Sequence, residues 1–536
     1  MQSTALEPDS ATQVDPIHLE PTGETPKPHL PDAGDLVDQV PPHFKASRIA
    51  AGCTLVLGLI YLTFCLKPIW HTDIWGHLAY GKVLWERGSL PSEEPLLPLA
   101  QGMPFIDTAW LSQLVSYGVW SQWGLAGLQG LTAIAVTMVC GIVLLRSYAT
   151  TKSAAFSLLG LTMLLWFDWH QFIVVRPQLL ALVCFSVLFA RLIGRPRHSD
   201  WYAVPLLMLV WTNLHGSFPV GIALLGVFTV GRAIDVIRRT GKAAALWHDS
   251  RLSRLVLLTE LAFAATLIHP YGLYLYREVW TFGSNPNLSS LTEWQPLEIR
   301  SWIGGTTLAI LAALAILYRL TPRRIFAWEP LLVIGLSATA IWSSRMSAWL
   351  APVAAYLMTV HAHAVWRAWR HAPFIPTPSP RAGLWTVVCL GLAWIFFGYS
   401  PLGLRLLHGR QPNLERAVTE YSPIGAVEYL QEFPPVGQVF NIYEWGDYLH
   451  WFGPAGMKIF VNSHAHAVPS EVWQSYLRVI HQESGWQDVL DRSGVNTVIV
   501  DRAVRDGLIR ALKDDPKWRV GYEDHVATVF VRKQPI

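Results

Sequence analysis

The chain has 536 residues, of which 52% are hydrophobic and only 15% are charged, and its mean hydropathy is +0.30. Because soluble domains carry roughly 25% charged residues, this composition excludes an ordinary soluble enzyme. It predicts a polytopic membrane protein whose 26 tryptophans supply interfacial belts. The formal net charge of +3 says little by itself, and no nucleic-acid partner is expected.

The beginning of the chain divides into a polar tail and a first membrane span. Residues 1–44 contain eight prolines and eight acidic residues, a composition typical of disorder. The run 49–66 has 18 uncharged residues and lies too far from the start for a cleaved signal peptide. We therefore expect a retained transmembrane helix there. All five cysteines lie in apolar stretches, which argues against a disulfide framework or a cysteine-based metal site.

Ten further apolar stretches predict a total of eleven spans. They lie near residues 125–146, 153–169, 178–194, 202–215, 217–233, 253–269, 302–320, 325–343, 346–366 and 384–404. The two stretches that meet at 213–216 could instead form one broken helix. With the N-terminus inside, most basic residues of the short loops fall on the inner side, as the positive-inside rule requires. An odd number of spans then places the C-terminal region outside.

In this orientation the unusual polar residues of the membrane part collect on the outer side. They are Asp73, His77, Asp168, His170, Arg176, the segment 213–217, His269, Glu293 and Arg345. The inner loops are mostly basic and otherwise featureless. Any chemistry is therefore expected at the outer face of the membrane.

The C-terminal region has a different pattern, in which short strand-like runs alternate with helical ones. The predicted strands are Gln438–Asn441, Lys458–Asn462, Thr497–Asp501 and Thr528–Arg532, and the predicted helices are Ser422–Glu432, Ser470–Gln482, Gln487–Ser493 and Val504–Lys513. This alternation predicts a small α/β domain. We divide the chain into a disordered tail over 1–44, a transmembrane domain over 45–405 with its first outer loop at 67–124, and an outer-side α/β domain over 412–536.

A carboxylate at the membrane edge is the first candidate for chemistry. Asp73 lies in the segment 71–77, among histidines and aromatic residues, directly after the first span. Residues 74–86 alternate apolar and polar faces with a helical period, which predicts a helix along the interface. At the start of this helix Asp73 would cap backbone amides. A cap would hold the carboxylate ionised and oriented, so capping and catalysis are compatible.

Basic residues at the outer ends of the spans are candidates for binding phosphate. Arg176 and Arg345 lie where an arginine can hold a lipid phosphate through two hydrogen bonds, or can simply snorkel to headgroups. His215 and His269 each lie beside a glycine or proline that breaks a helix. Broken backbone at membrane depth is tolerated where protein or a water-filled cavity satisfies it, so we expect both histidines in a pocket wall.

Two further patterns allow more than one interpretation. The pentapeptide His-Ala-His-Ala-Val occurs at 361–365 and at 464–468, on opposite sides of the membrane. The two copies therefore cannot share an ion, and because no other ligand motif accompanies them we expect neither a metal nor a cofactor. The aromatic segment 441–451, which contains Trp445, suits either carbohydrate binding or docking of the outer domain onto the membrane part.

The combined pattern resembles the GT-C glycosyltransferase superfamily, in particular its bacterial RgtA/B/C/D-like and protein mannosyltransferase-like members. The architecture matches over residues 47–530, but only short motifs match in detail. They are the segments 71–77 with Gly81 and 88–91, 211–216, and the pattern Asn-x-Tyr-x-Trp-Gly-x-Tyr-Leu at 441–449. The resemblance implies an all-α membrane bundle followed by a small extracytoplasmic domain.

The resemblance also implies a reaction and a set of site residues. A sugar would pass from a polyprenyl-phosphate donor to a glycan, lipid or protein acceptor on the outer side of a bacterial inner membrane, with Asp73 as the general base. The implied substrate-binding residues are His77, Asp107, Arg176, His215, His269, Arg345 and Trp445. Family members often carry a second acidic residue in the first outer loop. Glu93, Glu94 and Asp107 are available here, so this role stays open.

A transporter or a non-catalytic membrane scaffold is the alternative. Transporters typically contain internal repeats and charges buried within their spans. The first half of this sequence does not recur in the second, and the charges cluster at span ends. Both observations favour the enzyme.

Overall fold

The computed structural model describes residues 45–70, 73–370 and 382–536. The predicted disordered tail over 1–44 lies outside the described residues, as does His71 at the start of the predicted site motif. The described chain is mostly helical and ends in a small mixed sheet, which confirms the predicted fold class.

The helices of the membrane part follow the apolar stretches of the sequence, and each of the eleven predicted stretches contains a helix. The helices are α1 (Arg48–Leu66), α2 (Asp73–Arg87), α3 (Trp110–Thr151), α4 (Ala154–Phe172), α5 (Pro177–Leu192), α6 (Asp200–Leu214), α7 (Pro219–Thr240), α8 (Ser250–Thr266), α9 (Tyr274–Phe282), α10 (Trp302–Leu320), α11 (Trp328–Trp342), α12 (Ser347–Arg370), α13 (Ala382–Gly398) and α14 (Pro401–His408).

Fewer helices than eleven meet a strict test of length and hydropathy. Among the described residues, five segments are long and apolar enough to cross a membrane, namely α1, α3, α7, α10 and Ser344–Arg370. A sixth candidate is α13 together with α14, which are bent by 85°, and α5 and α11 are apolar but shorter. The chain is a multi-pass membrane protein. The count of eleven spans and the orientation stay predictions.

Helix α3 connects the membrane bundle to the region around the candidate site. It has 42 residues and is kinked at Gly124, whose φ of 57° and ψ of −143° suit only glycine. The part after the kink contains the predicted span 125–146. Before the kink, Trp120 packs against Trp451 of the C-terminal domain, with ring centroids 5.7 Å apart. Helix α3 therefore contributes a predicted membrane span on one side of its kink and contacts the C-terminal domain on the other.

The C-terminal domain has a five-stranded sheet with the order β2-β1-β3-β5-β4. The strands are β1 (Gln438–Asn441), β2 (Lys458–Ile459), β3 (Val495–Asp501), β4 (Trp518–Glu523) and β5 (Ala527–Arg532). The helices are α15 (Leu414–Ala417), α16 (Ile424–Glu432), α17 (Tyr443–Phe452), α18 (Ser470–Ile480), α19 (Trp486–Arg492) and α20 (Asp506–Asp514). Strand β1 is parallel to β2 and β3, whereas β5 is antiparallel to β3 and β4. The domain boundaries themselves stay predictions.

The helix that carries Asp73 is held between the bundle and the C-terminal domain. Trp75 of α2 is buried and makes edge contacts with Tyr448 and Phe452 of α17. Gly76 has no room for a side chain, because a Cβ atom there would lie 2.4 Å from Asp447 Oδ1. This packing confirms the predicted helix over 74–86 and fixes the position of its first turn.

Candidate functional site

Two of the predicted residues share one face of α2. Asp73 begins the helix and His77 follows four residues later, so their side chains are neighbours on the helix surface. His77 Nδ1 lies 3.5 Å from Gln113 Nε2 in the first turn of α3. Burial lowers the pKa of His77 to about 4 even though Asp73 raises it, so the ring is neutral at physiological pH.

Four charged residues form an ion network at the end of the bundle, which we define as Asp73, Arg176, Glu293 and Arg345. Arg176, the residue before α5, places Nε 2.6 Å from Asp73 Oδ2 and Nη1 2.6 Å from Glu293 Oε2. Arg345, in a turn between α11 and α12, donates from Nη1 to the other oxygen of Glu293 at 3.0 Å. Its Nε donates to Gln178 Oε1, also at 3.0 Å. Glu293 thus bridges two arginines.

Burial and charge act in opposite directions on the pKa values of this network. Burial favours the neutral acid of Glu293, but Arg345 and Arg176 hold its pKa below the ordinary value. Burial would also lower the pKa of Arg176, yet Asp73 and Glu293 raise it. Because the side chains of Arg176 and Asp73 are only 10% and 13% exposed, each charge depends on its partner. Arg176 and Glu293 are therefore ionised at neutral pH.

Asp107 is a second carboxylate at the same place, with a different environment. Its Oδ1 accepts hydrogen bonds from Ala109 N at 2.9 Å and from Gln113 Nε2 at 3.1 Å. Its Oδ2 is buried and has no hydrogen-bond partner among the described residues. Burial raises the pKa of Asp107 to about 7. This carboxyl group can therefore gain or lose a proton near neutral pH.

The break between α6 and α7 brings a histidine into the site. His215 leaves the helix with extended backbone, and its Nδ1 accepts a hydrogen bond from Ser217 N at 3.1 Å. Asn213 Oδ1 accepts from Trp110 Nε1, which ties the break to the start of α3. The ring of His215 lines the same cavity as Arg176 and Arg345.

The C-terminal domain contributes two more histidines to the site. His464 and His466 lie at a short 3₁₀ turn, Ala465–Ala467, with ring centroids 5.5 Å apart. The ring centroid of His464 lies 5.4 Å from that of His77 and 4.5 Å from that of Tyr80. Burial lowers the pKa of both turn histidines to about 3. They form an uncharged aromatic wall.

Two cavities meet at the ion network. The first, of about 120 Å³, also contacts His77, Asp107, His215, His464 and His466. The second, of about 450 Å³, is lined by His170, the segment 295–298 and Tyr443. All four network residues line both cavities. The second cavity falls within the range of ligand pockets, about 300–1,000 Å³.

Solved structures align with most of the chain. The oligosaccharyltransferase of Archaeoglobus fulgidus, tethered with an acceptor peptide, aligns with a TM-score of 0.51 and 11% identity over 90% of this chain and 74% of its own. ArnT from Cupriavidus metallidurans in the apo state aligns with a TM-score of 0.51 and 14% identity, over 89% of this chain and 96% of its own. ArnT bound to undecaprenyl phosphate gives 0.49 and 13% over the same shares. No protein-family model and no curated protein matches the sequence.

The first two alignments decide the architecture, because both proteins are GT-C glycosyltransferases. The chain has the GT-C fold. This result confirms the resemblance that the sequence motifs indicated. At such low identity the likeness establishes the fold and leaves the reaction to be argued from the site.

Within this GT-C fold, most of the predicted site residues lie together. Those that line the first cavity are Asp73, His77, Asp107, Arg176, His215 and Arg345. His269 does not line this cavity and is linked to Asp107 through Tyr271. Its Nδ1 accepts a hydrogen bond from Tyr271 N, and the Tyr271 hydroxyl accepts one from Asp107 N. Trp445 does not line either cavity and is buried in the core of the C-terminal domain.

Other acids of the first outer loop are placed elsewhere. Glu94 is buried and accepts a hydrogen bond from the Tyr80 hydroxyl at 2.9 Å, whereas Glu93 is exposed. Neither lines the first cavity. In the part of the chain that the structure describes, no group of three His, Cys, Asp or Glu side chains is arranged to hold a metal ion.

Glu293, His464 and His466 line the first cavity, although the sequence pattern did not assign them to the site. Glu293 was grouped with the outer polar residues but not assigned to the site, although two buried arginines require a nearby acid. His464 and His466 were considered only as metal ligands. The repeated His-Ala-His motif marked them, but only the fold shows that their domain reaches the end of the bundle.

Proposed function

We propose that the chain is a membrane glycosyltransferase that moves a sugar from a polyprenyl-phosphate donor to a glycan, lipid or protein acceptor. One observation carries the proposal, namely that Arg176 and Arg345 converge on two carboxylates between two cavities. A buried arginine pair supplies the planar donors that a phosphate oxygen accepts. The GT-C fold supports this reading.

In this proposal the donor phosphate binds at the ion network. Glu293 contacts both arginines, Arg176 at 2.6 Å and Arg345 at 3.0 Å. A phosphate entering through the second cavity would share or replace these contacts. The shared glutamate keeps the arginines oriented until donor arrives, which lowers the cost of ordering them on binding.

Asp73 is the proposed general base. A phosphate that takes over Arg176 would release Asp73 from its 2.6 Å contact with the guanidinium. The acceptor oxygen would then bond to the anomeric carbon while the bond from that carbon to the phosphate oxygen breaks. Asp73 would take the acceptor's hydroxyl proton, and the lipid phosphate would leave with the bonding electrons.

Asp107 is the second candidate for the base. Its free Oδ2 and its pKa near 7 are properties that suit proton transfer at neutral pH. If Asp107 is not the base, the same oxygen is available to hold a substrate hydroxyl. Variants of the two acids separate these roles.

The first prediction concerns transfer by the reconstituted protein from a panel of polyprenyl-phosphate sugars. Asp73→Asn should lower transfer by roughly 10²–10⁴-fold, because the proton acceptor is lost while the side chain keeps its size. The matched control is Asp200→Asn. It also weakens an ion pair with an arginine, at 2.9 Å, but lies outside both cavities, so transfer should be unchanged.

Full transfer by Asp73→Asn would remove Asp73 as the base. If Asp107→Asn alone then abolished transfer, the base would be Asp107. Loss of transfer in Asp200→Asn as well would show that the assay reports folding.

The proposed site of action is the outer face of a bacterial inner membrane. The positive-inside pattern supports an inside N-terminus and an extracytoplasmic C-terminal domain. His464 and His466 belong to that domain and line the same cavity as Asp73, so the proposed active site would lie on the outer side.

A further inference from the structure

A second polar region lies at the other end of the membrane bundle. There a cavity of about 820 Å³ opens between the end of α3, the α10–α11 loop and the last turns of α12. We call it the basic groove, and its cations are Lys152, Arg323 and Arg367. No prediction from the sequence assigned a ligand to this place.

The basic groove is about one membrane thickness away from the candidate site. Helix α12 begins at Ser347, two residues after Arg345, and reaches Arg367 twenty residues later. At 1.5 Å per residue this distance is about 30 Å, which equals the hydrocarbon core of a bilayer. The basic groove therefore lies at the level of the opposite headgroup layer.

The cations of the basic groove lack acidic partners, whereas nearby acids are already paired. Among the described residues, no carboxylate lies within ion-pair distance of Lys152, Arg323 or Arg367. The acids of the neighbouring loops pair with other basic groups. These pairs are Asp200 with Arg191, Asp249 with Arg232, Asp235 with Arg324 and Glu329 with His361. Within the described part of the chain, the positive charge of the basic groove is therefore not compensated by a nearby carboxylate.

One wall of the basic groove is apolar. Val360, Ala364 and Ala368 recur at a spacing of four residues and lie on the same face of α12 as Arg367. Threonine hydroxyls at the end of α3, from Thr150 and Thr151, also line it. Cations and hydroxyl groups at the level of a headgroup layer fit the phosphate of a membrane lipid. Basic pockets between transmembrane helices bind anionic lipid headgroups in this way.

We propose that Lys152, Arg323 and Arg367 bind the headgroup phosphate of an anionic phospholipid. The acyl chains would extend from the basic groove into the surrounding bilayer. This proposal does not depend on the proposed glycosyl transfer. It gives the bundle a lipid contact that ties three segments together at the end opposite the candidate site.

The test uses the full chain in a neutral detergent, with lipid binding titrated by native mass spectrometry. The probes are phosphatidylglycerol, phosphatidylcholine and inorganic phosphate. The groove variant replaces Lys152, Arg323 and Arg367 by Gln. It should bind phosphatidylglycerol roughly 10²-fold more weakly, since each cation near an anionic headgroup contributes about a factor of five.

The matched control replaces Arg195, Arg238 and Lys242 by Gln. These side chains are exposed and do not line the basic groove, and their replacement removes the same charge. Binding should stay within about threefold of the wild type, because distant exposed charges are screened. Wild-type protein should also prefer phosphatidylglycerol to phosphatidylcholine and to inorganic phosphate.

Three outcomes would overturn the proposal. Equal losses in the groove and control variants would reduce the effect to general surface charge. Equal affinity for inorganic phosphate and phosphatidylglycerol would make the basic groove a site for soluble phosphate. Equal wild-type affinity for phosphatidylcholine and phosphatidylglycerol would remove the role of the anionic headgroup.

Discussion

The two copies of His-Ala-His-Ala-Val have the same sequence and opposite environments. In the first copy His361 lies inside α12 and is fully buried, with Nε2 2.7 Å from Glu329 Oε2 and Nδ1 3.1 Å from Thr321 Oγ1. In the second copy His464 and His466 lie at a short turn and face the first cavity. Neither of these two lies within 4 Å of a described carboxylate.

The flanking residues explain this difference. The first copy lies within a 24-residue apolar helix, which satisfies its backbone. In the second copy Asn462 Oδ1 accepts from His464 N, which starts a turn, and Pro469 follows the last residue. The same five residues therefore fold as their neighbours dictate. The first copy is held by an acid partner inside the bundle, whereas the second copy faces a cavity.

The largest expected effect on stability is at the first copy. His361→Ala removes the partner of Glu329, whose side chain is fully buried. Removing one partner of a buried ion pair costs about 3–5 kcal/mol, so the free energy of unfolding in detergent should fall by that amount. Replacing both residues by Leu should cost less than His361→Ala alone, because no buried polar group then loses its partner. A single variant as stable as the wild type would refute the structural role of this pair.

The next effect is a dependence of the free energy of unfolding on pH, caused by Asp107 in the first cavity. Burial raises the pKa of Asp107 from 3.8 to about 7, so between these values the folded protein binds a proton that the unfolded chain does not. Stability is then fully present below pH 4 and is lost as pH rises toward 7, at up to about 1.4 kcal/mol per unit.

Asp107→Asn removes this titration. Its stability relative to the wild type, measured by denaturant unfolding, should therefore increase by about 2–3 kcal/mol between pH 5 and pH 8. A difference that stays constant over this range would mean that Asp107 titrates normally in the folded protein.

The smallest expected effect compares the second histidine of each copy. His466 packs against Phe282 with ring centroids 4.5 Å apart, and His363 packs against Phe156 with ring centroids 5.2 Å apart. Each substitution by Ala should cost about 0.5–1.5 kcal/mol of stability. Only His466→Ala should also raise KM for the sugar donor, by roughly 5–10-fold, because only His466 lines the first cavity. Equal KM values in the two variants would remove the turn from the site.

Hydrophobic periodicity predicted the helices because membrane spans must satisfy their own backbone. Strand β1 was predicted at its observed limits, and β3 and β5 within two residues. Strand β4 was missed because much of Trp518–Glu523 is exposed and contains a glycine, so it lacks the alternation of a half-buried strand. Helix α17 was missed because its aromatic residues suggested a binding segment.

The candidate site was predictable where a residue's position along the chain determined its place at a span end. That condition holds for Asp73, Arg176, His215 and Arg345. It fails for Glu293 and for the turn histidines, which reach the site through contacts between segments far apart in sequence. Trp445 shows the converse, since an aromatic residue suited to carbohydrate is buried against its own domain.

The affinity of the purified chain for a sugar-free polyprenyl phosphate tests whether the ion network binds a lipid phosphate. Arg345→Gln should weaken binding by roughly 10–10²-fold, because it removes charge-assisted hydrogen bonds worth about 1.5–3 kcal/mol. The control Arg277→Gln alters an exposed arginine outside both cavities and should bind normally. Wild-type affinity in a folded Arg345→Gln variant would show that the ion network does not bind the lipid phosphate.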